Sequence, residues 1–519
     1  MQQKMFSHRE GTVIGSFHHG HAIIEVNQSP ETIELMKDPK LISRHLGDEK
    51  VLFQLLLEYS AVMHERLHYL HTFGTLGGLS MFTSRMVALR RFVECAIELA
   101  RGSVVWQLPL SKWVASGDAP DVVRKLLRFS RGFRAGTDYF LAPFSPFGVR
   151  GHTTDAWLDV PFPSMRDDGK PTVSKVPAFP MSAGIGSPEV GDLRPVTIVL
   201  PMGYEAIVEG IAHGASRSLV GAMFPELPPS TLEHYGPPKT FDAREKENLD
   251  AMARQFEIYT ASDLLISKYL RGMDIPKFPR ELVFRLSDLA LSTSFFSVED
   301  INDQQTKVEI INPGYALIRS LTDGDKADLA KGKVPYPDFV QQRYQAILDS
   351  LMSQGDWDTV TPQGNLYTAH RVWESFVAQH ISVPLLKIRI ESNNATFNTE
   401  SELIKFALLM ELPRVEVYNG KLQLHGMPDE VCNAWGQQVF TSELAQQIFA
   451  DSELLRCPRA HELVPGIEGA DFSGGHCVKR KKLGCGTFVP GESGYAPACL
   501  FTRTLRALSF IPIQHTSAA

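Results

Sequence analysis

The sequence predicts a mainly α protein of the α+β class, and three observations carry that prediction. Helix-period apolar patterns dominate the chain from about residue 48 onward, and β-rich runs are short and few. One long apolar helical segment also carries histidines and a glutamate, residues that belong on a buried face only with partners. A small N-terminal β element, a Pro/Gly-rich insertion, a second helical region and a Cys-rich tail complete the expected layout.

The length of 519 residues suggests two to four domains at a prior of ~150 residues each. The expected division is 1–300 with an insertion at about 141–203, then 301–450, then a tail at 451–519. A hydrophobic fraction of 43% and a charged fraction of 21% are those of a globular chain. The net charge of −7 gives no general reason to expect nucleic acid as a partner. The opening "MQQKMFSHREGTVIG" lacks the charged-then-apolar layout of a signal peptide. The most apolar stretch, "VLFQLLLEYSAVM", is interrupted by Gln54 and Glu58 and falls short of a membrane span. The expectation is a cytoplasmic protein without membrane segments.

Taken in order, "GTVIGSF" and "HAIIEV" read as a strand pair separated by "HHG". Asp48 is placed to cap a long helix, which is apolar around most of its circumference from Val51 to Phe73. Gly74, Gly77 and Gly78 end it or loosen its last turn, and a second helix covers roughly Ser80 to Ala100. Between Leu141 and Gly203 the density of Pro and Gly predicts long ordered loops or an insertion, closed by the β-run "VTIVL". "PMGYEAIVEGIAHGASRSLV" reads as a helix, and helical patterns follow in "AREKENLDAMARQFEIYTASDLLISKYL", "RELVFRLSDLALS", "PDFVQQRYQAILDSLM" and "AHRVWESFVAQH". Asn419-Gly420 between two alternating runs predicts a hairpin at 415–424, and a last helix lies near "SELAQQIFADSELL".

The chemistry concentrates in "MHERLHYLH". His64 and His68 stand four residues apart, so on a helix they project from one face and can share one metal ion. Glu65 is placed beside that ion, where it can take a proton from a water and pass it to a leaving group. His71 extends the face, but three ligands from one straight helix seldom converge, so it reads as a neighbour. A third ligand is expected from "YEAIVEGIAHGA", where Glu205, Glu209 and His213 form one stripe at i, i+4, i+8. The alternative is that this stripe is a solvated acidic face. Tyr204, His213, Tyr259 and His370 are the candidates for stabilising a developing oxyanion.

"HERLH" followed by a helix with "EGIA" resembles the zincin metallopeptidases, in the branch whose third ligand is a glutamate (gluzincins). The resemblance covers two short helices. It implies a zincin-like catalytic core holding Zn2+ through His64, His68 and Glu209, with Glu65 as the base and Glu205 as the substitute third ligand. The interval between His68 and Glu209 is longer than is common in that family and implies an inserted subdomain.

Two further clusters remain. His18, His19 and His21 in "FHHGH" read as a solvated turn, with metal binding as the alternative. "HELVP" at His461 is not a second zinc motif, because Pro465 takes the place of the second histidine. Cys457, Cys477, Cys485 and Cys499, with His461 and His476 nearby, offer ligands for a structural zinc, although the close Cys-x-x-Cys pairing is missing. The basic run Lys479 to Lys482 leaves open a contact with an acidic partner. The leading expectation is a zinc metallopeptidase acting on a protein or peptide. The alternatives are a non-catalytic zinc-containing binding protein working through its basic Cys-rich tail, and a hydrolase of non-peptide amides or esters.

Overall fold

The computed structural model describes residues 15–18, 21–141, 153–154, 157–162, 172–185, 194–224, 226–227, 240–242, 257–275, 277–295, 311–334, 336–360, 365–391, 412–418, 421–453, 455–456, 487–488, 504–505 and 507–508. These residues are mainly helical, with a small sheet beginning at the N-terminal end. Strands β1 (Gly15–His18) and β2 (Ile23–Val26) lead through α1 (Pro30–Lys37) into two 26-residue helices, α2 (Glu49–Gly74) and α3 (Leu76–Arg101). The short α4 (Leu110–Ala115) and the amphipathic α5 (Asp121–Leu141) follow.

The Pro/Gly-rich interval, expected as loops or an insertion, contains four strands: β3 (Thr153–Thr154), β4 (Trp157–Phe162), β5 (Thr172–Ile185) and β6 (Arg194–Pro201). They pair antiparallel in sequence order. Sequential antiparallel strands need only local turns, and Pro and Gly supply these while stopping helices. Next comes α6 (Tyr204–Met223). Strands β7 (Thr240–Asp242) and β8 (Lys277–Pro279) pair around α7 (Glu257–Gly272), and α8 (Arg280–Thr293) closes this part.

The second helical region holds α9 (Pro313–Thr322), α10 (Lys326–Ala330), α11 (Asp338–Met352), α12 (Asn365–Val377) and α13 (Val383–Glu391). A π-helical turn at Ala378–Ser382 joins α12 to α13. The predicted hairpin is β9 (Arg414–Tyr418) and β10 (Lys421–His425), and the last long helix is α14 (Asp429–Phe449). Strands β11 (Leu455–Arg456) and β12 (Thr487–Phe488) form a separate pair.

Two features of this layout position the site. The first is the sheet β1-β2-β9-β10, in which β9 runs parallel to β2, with Ile23 opposite Val415 and Val26 opposite Tyr418. The hairpin therefore belongs to the same sheet as the N-terminal strands. Helix α2 packs on this sheet with one face and on α6 with another. Every residue from Ala61 to Ser80 is buried, which accounts for an apolar pattern that shows no preferred side.

The second feature is the corner between α2 and α3. Asp48 caps α2 as expected, accepting from the backbone N–H groups of Lys50 and Val51 at 3.1 Å each. At the other end Thr75 serves both helices. Its Oγ1 donates to the His71 carbonyl at 2.6 Å and accepts from the Gly78 N–H at 3.1 Å. Gly77 and Gly78 lie inside the first turn of α3 instead of ending α2, so α3 starts at Leu76, earlier than predicted. A Cβ on Gly78 would meet the His71 and Thr72 carbonyl oxygens at 2.3 and 2.5 Å. Glycine is thus what lets the second helix leave so close to the first.

Candidate metal centre

Helices α2 and α6 pack face to face, and the residues spaced one turn apart on each meet in the middle. His64 Nε2 lies 2.9 Å from His68 Nε2 and 2.9 Å from Glu209 Oε2, and His68 Nε2 lies 3.2 Å from Glu209 Oε1. All three residues are buried, at 2 to 3% exposure. One donor atom from each falls within 4.8 Å of the others, and the trio forms a group able to hold a metal ion. Tetrahedral N and O ligands at ~2.0–2.1 Å from zinc stand about 3.3 Å apart. The separations seen here are close to that value, and two imidazoles with one carboxylate are an ordinary zinc donor set. The residues fit the ion.

Electrostatics point the same way. Burial pushes the Glu209 carboxyl up, but the charge of His68 and hydrogen bonds from His64 and His68 hold it well below the usual carboxylate range. Burial lowers His64; at His68 burial also lowers the pKa, but Glu209, Glu65 and Glu205 together raise it above the usual value. A buried anion facing two imidazole nitrogens is stable only if a positive charge lies among them.

Glu65 sits beside this group, on the sheet side of α2. It is 2% exposed, and burial pushes its carboxyl to about 8, opposed by His68 and reinforced by Glu209 and Glu25. Strand β1 lies directly over it: a Cβ on Gly15 would come within 2.9 Å of Glu65 Cγ and Oε1. The Phe17 ring stacks parallel to the His68 ring at 6.3 Å and meets Tyr69 edge-on. The next residue on α2, Arg66, is fastened to the sheet. Its Nε donates to Glu416 Oε1 at 3.1 Å, and Glu416 also accepts from Arg414 and from Tyr418 and lies 3.0 Å from His425 Nε2.

The remaining candidates separate cleanly. Glu205, one turn before Glu209, is half-buried and close enough to raise His68, yet it is not part of the ligand group; the nearer carboxylate is Glu209. The stripe is not a solvated face, since Glu209 is 3% exposed. His213, one turn after Glu209, is half-buried; burial, with Arg217, His64 and Arg280, holds its pKa well below the usual range. His71 is buried one turn beyond His68 and pushed down to about 3 by burial and by Arg389. Tyr204 lies beside Thr72 and Thr75. The charged groups acting on His370 are Glu374, Arg90 and Arg371, none of them in the metal group. The side chain of Tyr259 lies outside the described residues, as do His19, His461, His476, Lys479 to Lys482 and all four tail cysteines, Cys457, Cys477, Cys485 and Cys499.

Of the "FHHGH" residues, His18 and His21 are not solvated as expected. His18 Nε2 pairs with Glu25 Oε2 at 3.2 Å across β1 and β2, and His21 is buried and hydrogen-bonded to Glu443 of α14. No local pattern points to a partner so far along the chain. Gly15 and Phe17 also went unread, although a glycine inside a β-run signals close approach of another group.

Comparison with protein-family models, with curated proteins and with solved structures gives no match. Among the described residues, no helix is long and apolar enough to cross a membrane.

Proposed function

We propose that the protein is a zinc-dependent hydrolase of the zincin type, acting on peptide bonds. The observation that carries this reading is the meeting of His64, His68 and Glu209 around one point, with Glu65 adjacent. A bound Zn2+ supplies Lewis acidity there and lowers the pKa of a water to near neutrality. His64 and His68 would hold the ion through their imidazoles and Glu209 through its carboxylate. With a cation beside it favouring its ionised form, Glu65 would take the proton from the attacking water and hand it to the leaving amine. His213, one turn beyond Glu209 on the same helix, is the imidazole we assign to donating a hydrogen bond to a developing oxyanion.

A peptide substrate is favoured by the sheet. Among the described residues β1 has a strand on one side only, so its other edge offers backbone groups beside Glu65. An extended peptide can pair with such an edge. Metal analysis tests the centre: wild type should hold one zinc per chain at this site, and the double variant His64→Ala/His68→Ala should lose it. Glu65→Gln should keep the zinc and lose hydrolysis of a mixed peptide substrate by at least ~100-fold. Unchanged zinc content in the double variant would sink the proposal.

A further inference from the structure

The first strand pair carries a polar trio that the metal centre does not use. Side chains alternate along β1, so Gly15 and Phe17 face α2 while Ser16 and His18 face the other way. Glu25 stands opposite Ser16 in the β1–β2 register and joins them on that second face. His18 Nε2 lies 3.2 Å from Glu25 Oε2 and 3.3 Å from Ser16 Oγ, and Ser16 Oγ lies 3.4 Å from Glu25 Oε2. One atom from each of three residues thus closes a nearly equilateral triangle.

Hydrogen bonding alone serves this triangle poorly. The carboxylate carries no hydrogen, the hydroxyl carries one and Nε2 at most one, so three contacts share two hydrogens. Two lone pairs are left facing each other unless one hydrogen is divided between two acceptors. Nor is the trio a nucleophile relay. A relay needs serine and carboxylate on different ring nitrogens, and here both face Nε2. A cation among the three atoms meets all their lone pairs at once. Atoms 3.2 to 3.4 Å apart lie about 1.9 Å from their common centre, so an ion at ~2.0–2.2 Å sits just off their plane. The side chains of His18 and Glu25 are 13 and 23% exposed, which leaves room for water at the ion's remaining positions.

We propose that Ser16, His18 and Glu25 form a second metal site, which takes a divalent transition-metal ion such as Zn2+ and clasps β1 to β2. The imidazole favours such an ion over Mg2+ and Ca2+, which take oxygen ligands. The two metal groups share no residue, so the second stands whether or not the first is catalytic. Its place gives it a consequence, because β1 is the strand that lies over Glu65 and stacks Phe17 on His68. An ion on the far face of β1 fixes the strand whose near face borders the first centre.

The test uses the full chain, stripped with chelator and titrated with zinc chloride by calorimetry, with bound metal counted after gel filtration. The background is His64→Ala/His68→Ala, in which the first centre is gone. That protein should still bind zinc, and adding His18→Ala or Glu25→Gln should weaken the binding at least about tenfold, with Ser16→Ala weakening it less. Cu2+ on the same background should show one imidazole nitrogen in its electron paramagnetic resonance spectrum, and His18→Ala should abolish that signature. In the otherwise wild-type chain His18→Ala should lower the zinc count by one, a reading that does not depend on the fold of the background. Zinc binding that His18→Ala and Glu25→Gln leave unchanged in wild type places the ion elsewhere and overturns the inference. A folded background protein that takes up no zinc does the same. Loss of the first centre from the wild-type count would sink the hydrolase reading and leave this one standing.

Discussion

At the scale of single residues, the position that most tightly constrains the site carries no side chain. Gly15 brings the backbone of β1 onto the Glu65 carboxylate. Gly15→Ala should therefore displace Glu65 while leaving the metal ligands in place. An error of about 1 Å in a catalytic group costs on the order of 100-fold, so kcat should fall toward that extent with zinc content unchanged. Kinetics and metal analysis on one preparation check both halves.

His370 is a residue-scale case outside the metal group. Burial pushes its pKa down to about 4, against Glu374 at 3.9 Å. Its folded pKa lies below the unfolded value of ~6.5, so the unfolded chain takes the proton first. The neutral ring is tolerated above pH ~6.5, and stability drains away as pH falls from there toward about 4. His370→Leu should remove roughly 3 kcal/mol of that loss. Urea unfolding of both proteins at the two ends of that window measures it.

Elements show where sequence reading works. The Asp48 cap, the paired histidines of α2 and the Asn419-Gly420 hairpin all depend on residues a few positions apart, and all three were readable. Glu209 was readable as a residue type on the right helix face, with Glu205 as a rival that only geometry could separate. The start of α3 was missed because Gly77 and Gly78 normally mark helix ends, whereas here they serve a close crossing. Gly78→Ala forces a Cβ against two carbonyl oxygens of α2 and should cost at least ~1–3 kcal/mol. Thr75→Val removes the hydroxyl shared by both helices and should cost about 1 kcal/mol. Thermal melts of the two variants would show the ordering, with glycine the more sensitive site.

For the whole molecule, the contacts that assemble the site are those between distant parts of the chain. β2 pairs with β9, His21 with Glu443 and Arg66 with Glu416. None of these leaves a periodic signal, since pairing at long range is set by packing and not by local preference. The Glu416 cluster makes this joint sensitive to acid. Burial pushes its carboxyl up, but the His425 ring 3.0 Å away and the charges of Arg66 and Arg414 hold it far below the usual range. A depressed folded pKa means the stabilisation is complete above the unfolded carboxylate value of ~4.3 and disappears as pH falls below it. Glu416→Gln should cost about 3 kcal/mol at neutral pH and flatten the acid limb of the stability profile. Denaturation midpoints from neutral pH down to acid would show both effects.

The proposed ligands are also far apart in sequence: His64 and Glu209 are separated by 145 positions. An ion held by both acts as a reversible crosslink, present in the folded chain and absent from the unfolded one. Free zinc at 100 times its dissociation constant would then add about 2.7 kcal/mol to stability. The melting temperature should climb with the logarithm of zinc concentration and drop on chelation. The climb should be smaller in His64→Ala/His68→Ala. Metal supply would in this way govern how long the protein survives as well as what it can hydrolyse.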